Sequence, residues 1–220
     1  MRIDLHVHSS YSRDASGTPK EILSLCRKVG LDGIAITDHN AMAGSLEAFS
    51  LSRGMDVTVV RGVEVSTRDG HVLALGVREL IPRGLIVAET IEKIHAAGGV
   101  CVAAHPKRFP SGVGLDIARD GKFDAIEILN SGSSARGNAL ARKLAERKGA
   151  AVTAGSDAHA MDQVGRAFTI VDGNPTEEAV LEAIRKGRTT VGGRSRTTVE
   201  GMRYSWETLV EWLRGDLRRL

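Results

Sequence analysis

The sequence predicts an α/β protein whose mostly parallel sheet closes into a compact barrel, smaller than the usual eightfold one. Three observations predict it. Short apolar runs alternate with stretches of helical periodicity through nearly all of the 220 residues. The runs are apolar on both faces, as strands are when both sides of their sheet are covered. The candidate helices stop at Gly30, Gly98, Gly149 and Gly187, where a left-handed C-cap favours glycine. Aromatic residues make up only 4% of the chain, so the core must come from Val, Ile, Leu and Ala.

In chain order, "RIDLHVH" is the first strand and "PKEILSLCRKVG" the first helix. The strands "GIAITDH", "VTVVRGVEVS" and "HVLALGV" follow, then the helix "LIVAETIEKIHAAGG". "VCVAAHP" and "AIEILN" are the next strands, "NALARKLAERKG" is a helix, and "AAVTAGSDAH" and "AFTIV" are strands again. In "NPTEEAVLEAIRKG" Asn174 is the expected N-cap and Pro175 the first helical residue. The closing "SWETLVEWLRGDLRRL" reads as an amphipathic helix over about 205–220, with Trp206, Leu209, Leu213 and Leu217 on one stripe. No repeat, low-complexity stretch or linker interrupts the pattern, so residues 1–220 are expected to form one domain.

Composition narrows the function classes. No apolar run approaches the roughly 20 residues of a membrane span, and "MRIDLHVHSS" turns polar at once, so a cytoplasmic location is expected. Cys26 and Cys101 lie in apolar-periodic segments and read as small core residues. A formal net charge of +3 is too weak to announce nucleic-acid binding, and the late arginines read as solvated surface.

The informative feature is a recurrent position. The first strand ends in His6 and His8, the second in His39, the third in Glu64. His71 opens the next run, His105 ends "AAHP", and Asp157 and His159 end "SDAH". In a barrel the carboxyl ends of the strands meet around one mouth, so residues far apart in sequence share a site there. Asp14, on the loop leaving the first strand, is within reach of it. Each residue has a plainer explanation: a satisfied core histidine, an Arg61 partner for Glu64, a helix cap at Asp157. But six of the seven histidines fall at strand ends or starts. The seventh, His95, sits late in a helix, where the dipole favours it.

Six histidines and three carboxylates, with no cysteine, suit Zn, Mn or Fe better than Ca or Mg. They suffice for three divalent ions if one carboxylate bridges. Three such ions bring +6 against the −3 of Asp14, Glu64 and Asp157, leaving a site that attracts an anion such as phosphate. Closely spaced ions clamp the attacking and leaving oxygens of a phosphoryl displacement. The expected nucleophile is a metal-activated water with Asp157, His159 and Glu64 around it, so no serine or cysteine nucleophile is needed. Asp38, Ser156 and Asn130 are expected to orient ligands. Arg13, Lys107, Arg108 and Arg136 are candidate phosphate contacts.

The ordered set "HVHSSYSRDAS", "TDHN", "GVEVS", "GHVLALG", "AHP" and "SDAH" resembles the PHP (polymerase and histidinol phosphatase) family, from about residue 1 to residue 170. The resemblance implies a distorted (β/α)7 barrel and a trinuclear metal site. It gives one metal to His6, His8, Glu64 and Asp157. Glu64 bridges to a second, bound also by His71 and His105, and Asp14, His39 and His159 hold the third. Asp14 stands where other members carry histidine. Only residues 72–104 separate His71 from His105, so the domain some members insert there is absent.

The expected function is a phosphoesterase acting on a phosphomonoester, either a nucleotide or a small phosphorylated metabolite, or on nucleic-acid ends. A metal-dependent amidohydrolase and a non-catalytic metal-binding module are the rivals. Amidohydrolase barrels also use a paired histidine on the first strand, but usually with a carboxylated lysine or a lone late aspartate.

Overall fold

The computed structural model describes residues 1–174, 176–197 and 199–202. The helix expected at 205–220 lies outside them. Among the described residues the sheet has nine strands: β1 (Arg2–Val7), β2 (Gly33–Ile36), β3 (Thr58–Ser66), β4 (His71–Leu75), β5 (Val100–Ala103), β6 (Ala125–Asn130), β7 (Ala151–Gly155), β8 (Ala167–Val171) and β9 (Thr189–Gly193). Its helices are α1 (Pro19–Cys26), α2 (Ala43–Leu51), α3 (Val87–Ala96), α4 (Leu115–Asp120), α5 (Ala135–Lys148) and α6 (Glu177–Arg185). Nothing in the apolar pattern announced β9, α2 or α4. No helix among the described residues is long and apolar enough to cross a membrane.

The strand order is β7-β6-β5-β4-β3-β2-β1-β8-β9, and the sheet curls into a nearly closed barrel. Backbone bonds between β1 and the segment after β7 bring its sides together: Asp157 N donates to the His6 carbonyl (2.7 Å) and His8 N to that of Ala158 (2.9 Å). The sheet is mixed rather than mostly parallel. β1–β2–β3 and β5–β6–β7 are parallel. β4 runs antiparallel to both β3 and β5, and β8 is antiparallel to β1 and β9. A four-residue connection after Ser66 (Thr67 N to Gly70 O, 3.0 Å) makes β3 and β4 a hairpin, too short for a parallel crossover.

One apolar cluster unites Ile3, Leu5, Ala35, Val60, Leu73, Val102 and Ala125 with Val180 and Ile184 of α6. Only the barrel interior touches so many strands, so α6 plugs one end of it. Its N-cap is Thr176, whose side chain accepts from Ala179 N, not the expected Asn174. Two bonds fasten the plug: Glu177 pairs with Arg61 of β3, and Arg185 donates to the Gly98 carbonyl (2.7 Å) before β5. Arg61 therefore serves α6 rather than Glu64. Outside the barrel, α3 covers Val63, Val65, Cys101 and Ile126, while α1 and α2 cover Val7, Ile34 and Ile36. Cys26 and Cys101 are both buried, as expected.

Candidate metal centre

All nine predicted ligand residues gather at the barrel mouth opposite α6. His71 shows why strand direction matters: it starts its strand, but β4 is reversed, so its start lies beside the ends of β3 and β5. In β1, Ile3 and Leu5 belong to the interior cluster while Val7 packs outside with α1 and α2. The alternation shifts by one where the β1–β2 register is irregular, between Asp4 and Val7. Such an irregularity re-aims side chains, and it turns His6 and His8 together into the mouth.

Glu64, fully buried, is the hub. Its Oε1 lies 3.0 Å from His71 Nδ1, 3.0 Å from His105 Nε2 and 3.4 Å from His6 Nε2. Its Oε2 lies 2.9 Å from His39 Nδ1 and 3.3 Å from His8 Nε2. Asp157 Oδ1 faces His8 Nε2 (3.3 Å), His6 Nε2 (3.5 Å) and His159 Nδ1 (3.6 Å). Asp14 Oδ2 stands between His159 Nε2 (3.1 Å) and His39 Nε2 (3.7 Å). Four groups have ligand atoms within 4.8 Å of one another: His6–Glu64–His105, His6–His8–Asp157, His8–His39–His159 and His39–Glu64–His71. The last joins His39 to Glu64 and His71, a neighbourhood the resemblance does not single out.

The donor set fits divalent cations. Among the described residues, seven buried side-chain polar atoms have no hydrogen-bond partner. One is Thr153 Oγ1; the others are His6 Nε2, His8 Nε2, Asp14 Oδ1, His39 Nδ1, Glu64 Oε2 and His105 Nδ1. Buried polar atoms are nearly always satisfied, and most of these converge on one place. Three non-glycine residues with positive φ also cluster there: Asn40 (52°), His105 (27°) and Asp157 (54°). Each such backbone costs roughly 1–3 kcal/mol and persists only where its surroundings impose it.

The charges tell the same story. Burial pushes the Glu64 carboxyl up, but His71, His6 and His39 outweigh it and hold it well below its usual range. Burial likewise opposes ionisation of Asp157, yet Arg108, His6 and the hydrogen-bonding His8 keep it ionised. The His39 imidazole, which burial alone would lower, is pushed up to about 10 by Glu64 and Asp14. His6 is raised well above its ordinary value against burial by Asp157, Glu127 and Glu64, and His159 is raised by Asp14 and Asp157. His8 is lowered by burial and by its neighbours His159 and His39. Protons thus neutralise the acidic cluster where divalent ions compete for the same atoms.

The supporting residues were only partly legible. Asp38 was expected to orient ligands, and it does so through Ser12. The Ser12 hydroxyl donates to Asp38 Oδ1 (3.1 Å) and accepts from His8 Nδ1 (3.1 Å) and His39 N (3.0 Å). Asn130 donates to Asp157 Oδ2 (3.3 Å), as expected. Ser156 supports backbone instead: its N–H goes to Asp4 Oδ1 (2.8 Å) and its hydroxyl to the His6 carbonyl (3.4 Å). Asp4, whose carboxyl burial pushes up to about 6, also accepts from Gly165 N (2.9 Å). Glu127 was missed, although a lone acid inside the apolar run "AIEILN" was a signal. Of the candidate phosphate contacts, Arg108 pairs with Asp157, while Arg13, Lys107 and Arg136 are exposed.

Fold and site together define a class: an α/β barrel that gathers histidines and carboxylates at its strand ends for metal ions. Residues 4–95 match the PHP domain and residues 135–189 the PHP-associated region. The chain belongs to the PHP family, and the match reaches past the stretch that carried the resemblance. An uncharacterised protein of Methanocaldococcus jannaschii is 36% identical over 141 residues, 60% of this chain and 82% of that one. A phosphoribosyl 1,2-cyclic phosphate 1,2-diphosphodiesterase of Eggerthella lenta is 38% identical over 100 residues, 42% of this chain but only 38% of that enzyme. Among solved structures, a two-domain Bacteroides vulgatus protein containing a predicted PHP-like metal-dependent phosphoesterase superposes with a TM-score of 0.74 at 18% identity. That match covers 88% of this chain and 65% of the other, and it speaks for the fold.

Proposed function

We propose that this protein is a metal-dependent phosphoesterase that hydrolyses a phosphomonoester in the cytoplasm, on a nucleotide, a small phosphorylated metabolite or a nucleic-acid end. The observation that carries the reading is the ring of five imidazoles around the buried Glu64 carboxylate, with unpartnered atoms facing inward. His6, His8, Asp14, His39, Glu64, His71, His105, Asp157 and His159 would hold three divalent ions, Zn, Mn or Fe. Bound there, such ions supply Lewis acidity and a water acidic enough to attack at neutral pH.

The chain's own groups do the rest. Glu64 and Asp157 stay ionised in a buried place and so favour bound cations. His159, donating Nδ1–H to the Asp157 carbonyl (3.0 Å), keeps its other nitrogen on Asp14 at the mouth. Arg108 holds Asp157 from one side and, with Lys107, Arg136 and Arg13, supplies positive charge for phosphate oxygens. Among the described residues no lysine is buried, so the carboxylated lysine of amidohydrolase barrels has no counterpart here.

The kinship with a cyclic phosphodiesterase supports a second reading within the same chemistry, a sugar cyclic phosphate as substrate. The test is to load the purified protein with Mn or Zn and measure ions per chain. Phosphate release from p-nitrophenyl phosphate and nucleotides, ring opening of cyclic sugar phosphates to monoesters, and release of nucleotides or phosphate from short oligonucleotides are then followed. Turnover of phosphomonoesters supports the first reading and of cyclic esters alone the second. Turnover of amides or lactams without any phosphoester would overturn both, as would fewer than two ions per chain with no turnover.

A further inference from the structure

The mouth has a buried anchor that none of the ligand motifs includes. Glu127, on β6 and 1% exposed, reaches three of the nine ligand residues. Its Oε1 lies 3.1 Å from His6 Nδ1. A carboxylate only accepts, so the ring nitrogen must donate; in the neutral imidazole that a metal ion requires, this leaves Nε2 as the bare nitrogen, aimed at Glu64 and Asp157. Its Oε2 accepts from the backbone N–H of His105 (2.8 Å), a residue held at a φ of 27°. The same oxygen accepts from Asn130 Nδ2 (3.0 Å), which also donates to Asp157 Oδ2 (3.3 Å).

We infer that Glu127 is a positioning residue for the ions: it fixes the tautomer of His6, the backbone of His105 and, through Asn130, the carboxylate of Asp157. The inference rests on the metal-centre reading above and narrows it to part of the site. Of the four ligand groups, His6–Glu64–His105 and His6–His8–Asp157 contain residues that Glu127 holds. His8–His39–His159 and His39–Glu64–His71 contain none, and that side is organised by Ser12 and Asp38.

Glutamine cannot replace this acid. Three donors face its two oxygens, so an amide NH2 on either side meets a donor. If it faces His6, the imidazole must move its proton to Nε2 and lose its ligand atom. If it faces His105 and Asn130, two N–H groups are left unmet in a buried place.

The test is Zn and Mn binding to metal-stripped wild type, E127Q and, for the opposite side, S12A, by calorimetry and chelator competition without substrate. Partners of metal-binding histidines typically matter 10–100-fold in affinity. E127Q is expected to weaken one or two ions by that factor while keeping the rest, and S12A to weaken a different ion. In Zn-loaded wild type, proton–nitrogen correlation spectra should show His6 protonated on Nδ1. A wild type that takes up no ion sinks the metal-centre reading itself. A wild type that loads, beside a folded E127Q that loads identically, overturns this proposal alone. So does a His6 protonated on Nε2, a result that stands even if E127Q fails to fold.

Discussion

The mouth has an inner wall and an outer rim, made of the same residue types under different physical conditions. The wall is His6, His8, Glu64, His105 and Asp157, with side chains at most 2% exposed. The rim is Asp14, His39, His71 and His159, 16–26% exposed. Wall residues sit on strands or at their very ends and are gripped from behind by Glu127, Asn130 and Arg108. Rim residues sit mostly on loops with fewer partners. Burying ionised groups without compensation is costly, so the wall must be neutralised by cations or protons. The rim, partly open to water, is where ligands can exchange.

The sharpest way to break that comparison is to remove the hub. Glu64→Ala should lower kcat/KM for a phosphoester by about 10³-fold or more, since it removes several kcal/mol of metal-based charge stabilisation at about 1.4 kcal/mol per decade. Asp157→Ala and His8→Ala should also abolish turnover while circular dichroism stays native; a fully active Asp157→Ala enzyme would contradict the wall's role.

The plug end offers a contrast. Glu177→Gln breaks the buried pair with Arg61 and should cost about 3 kcal/mol in denaturant unfolding, with ion content per folded chain unchanged. Metal loss in that variant would mean that the barrel's two ends are coupled.

At the rim, His71→Ala should weaken metal-dependent activity roughly 10–100-fold, of the order seen when a metal site loses a supporting group, and excess metal should restore much of it. If excess metal fails, His71 belongs energetically with the wall.

The smallest effect is pH dependence in the metal-stripped protein. His39 rises from an ordinary 6.5 to about 10 on folding, through its carboxylate neighbours. Its contribution is fully present below about pH 6.5 and is lost as pH climbs through 10, so the melting temperature should fall across that window. Metal loading at pH 7 should release protons, visible as a buffer-dependent heat in calorimetry. Proton-neutral loading would show the raised histidines not to be the ligands.

The residue types and their spacing along the chain were enough to identify the mouth residues. The carboxyl ends of a barrel's strands border its mouth, so the ligand-type residues at or near those ends, His6, His39, Glu64, His105 and Asp157, could be read one strand at a time. Glu127 could not be placed that way. Its role depends on barrel closure bringing β6 close to β1, and nothing local to "AIEILN" says that His6 lies beside it.

The sequence by itself determined the alternation of strands and helices, the glycine stops and the inventory of ligand-type side chains, because these follow from local periodicity and residue chemistry. Tertiary structure alone decided that β4 runs backwards and so brings His71 to the mouth, that α6 closes the far end, and that Glu127 stands behind His6. Each of those depends on contacts between segments distant in the chain, and pairing across such distances is set by the packing of the whole barrel rather than by any local pattern.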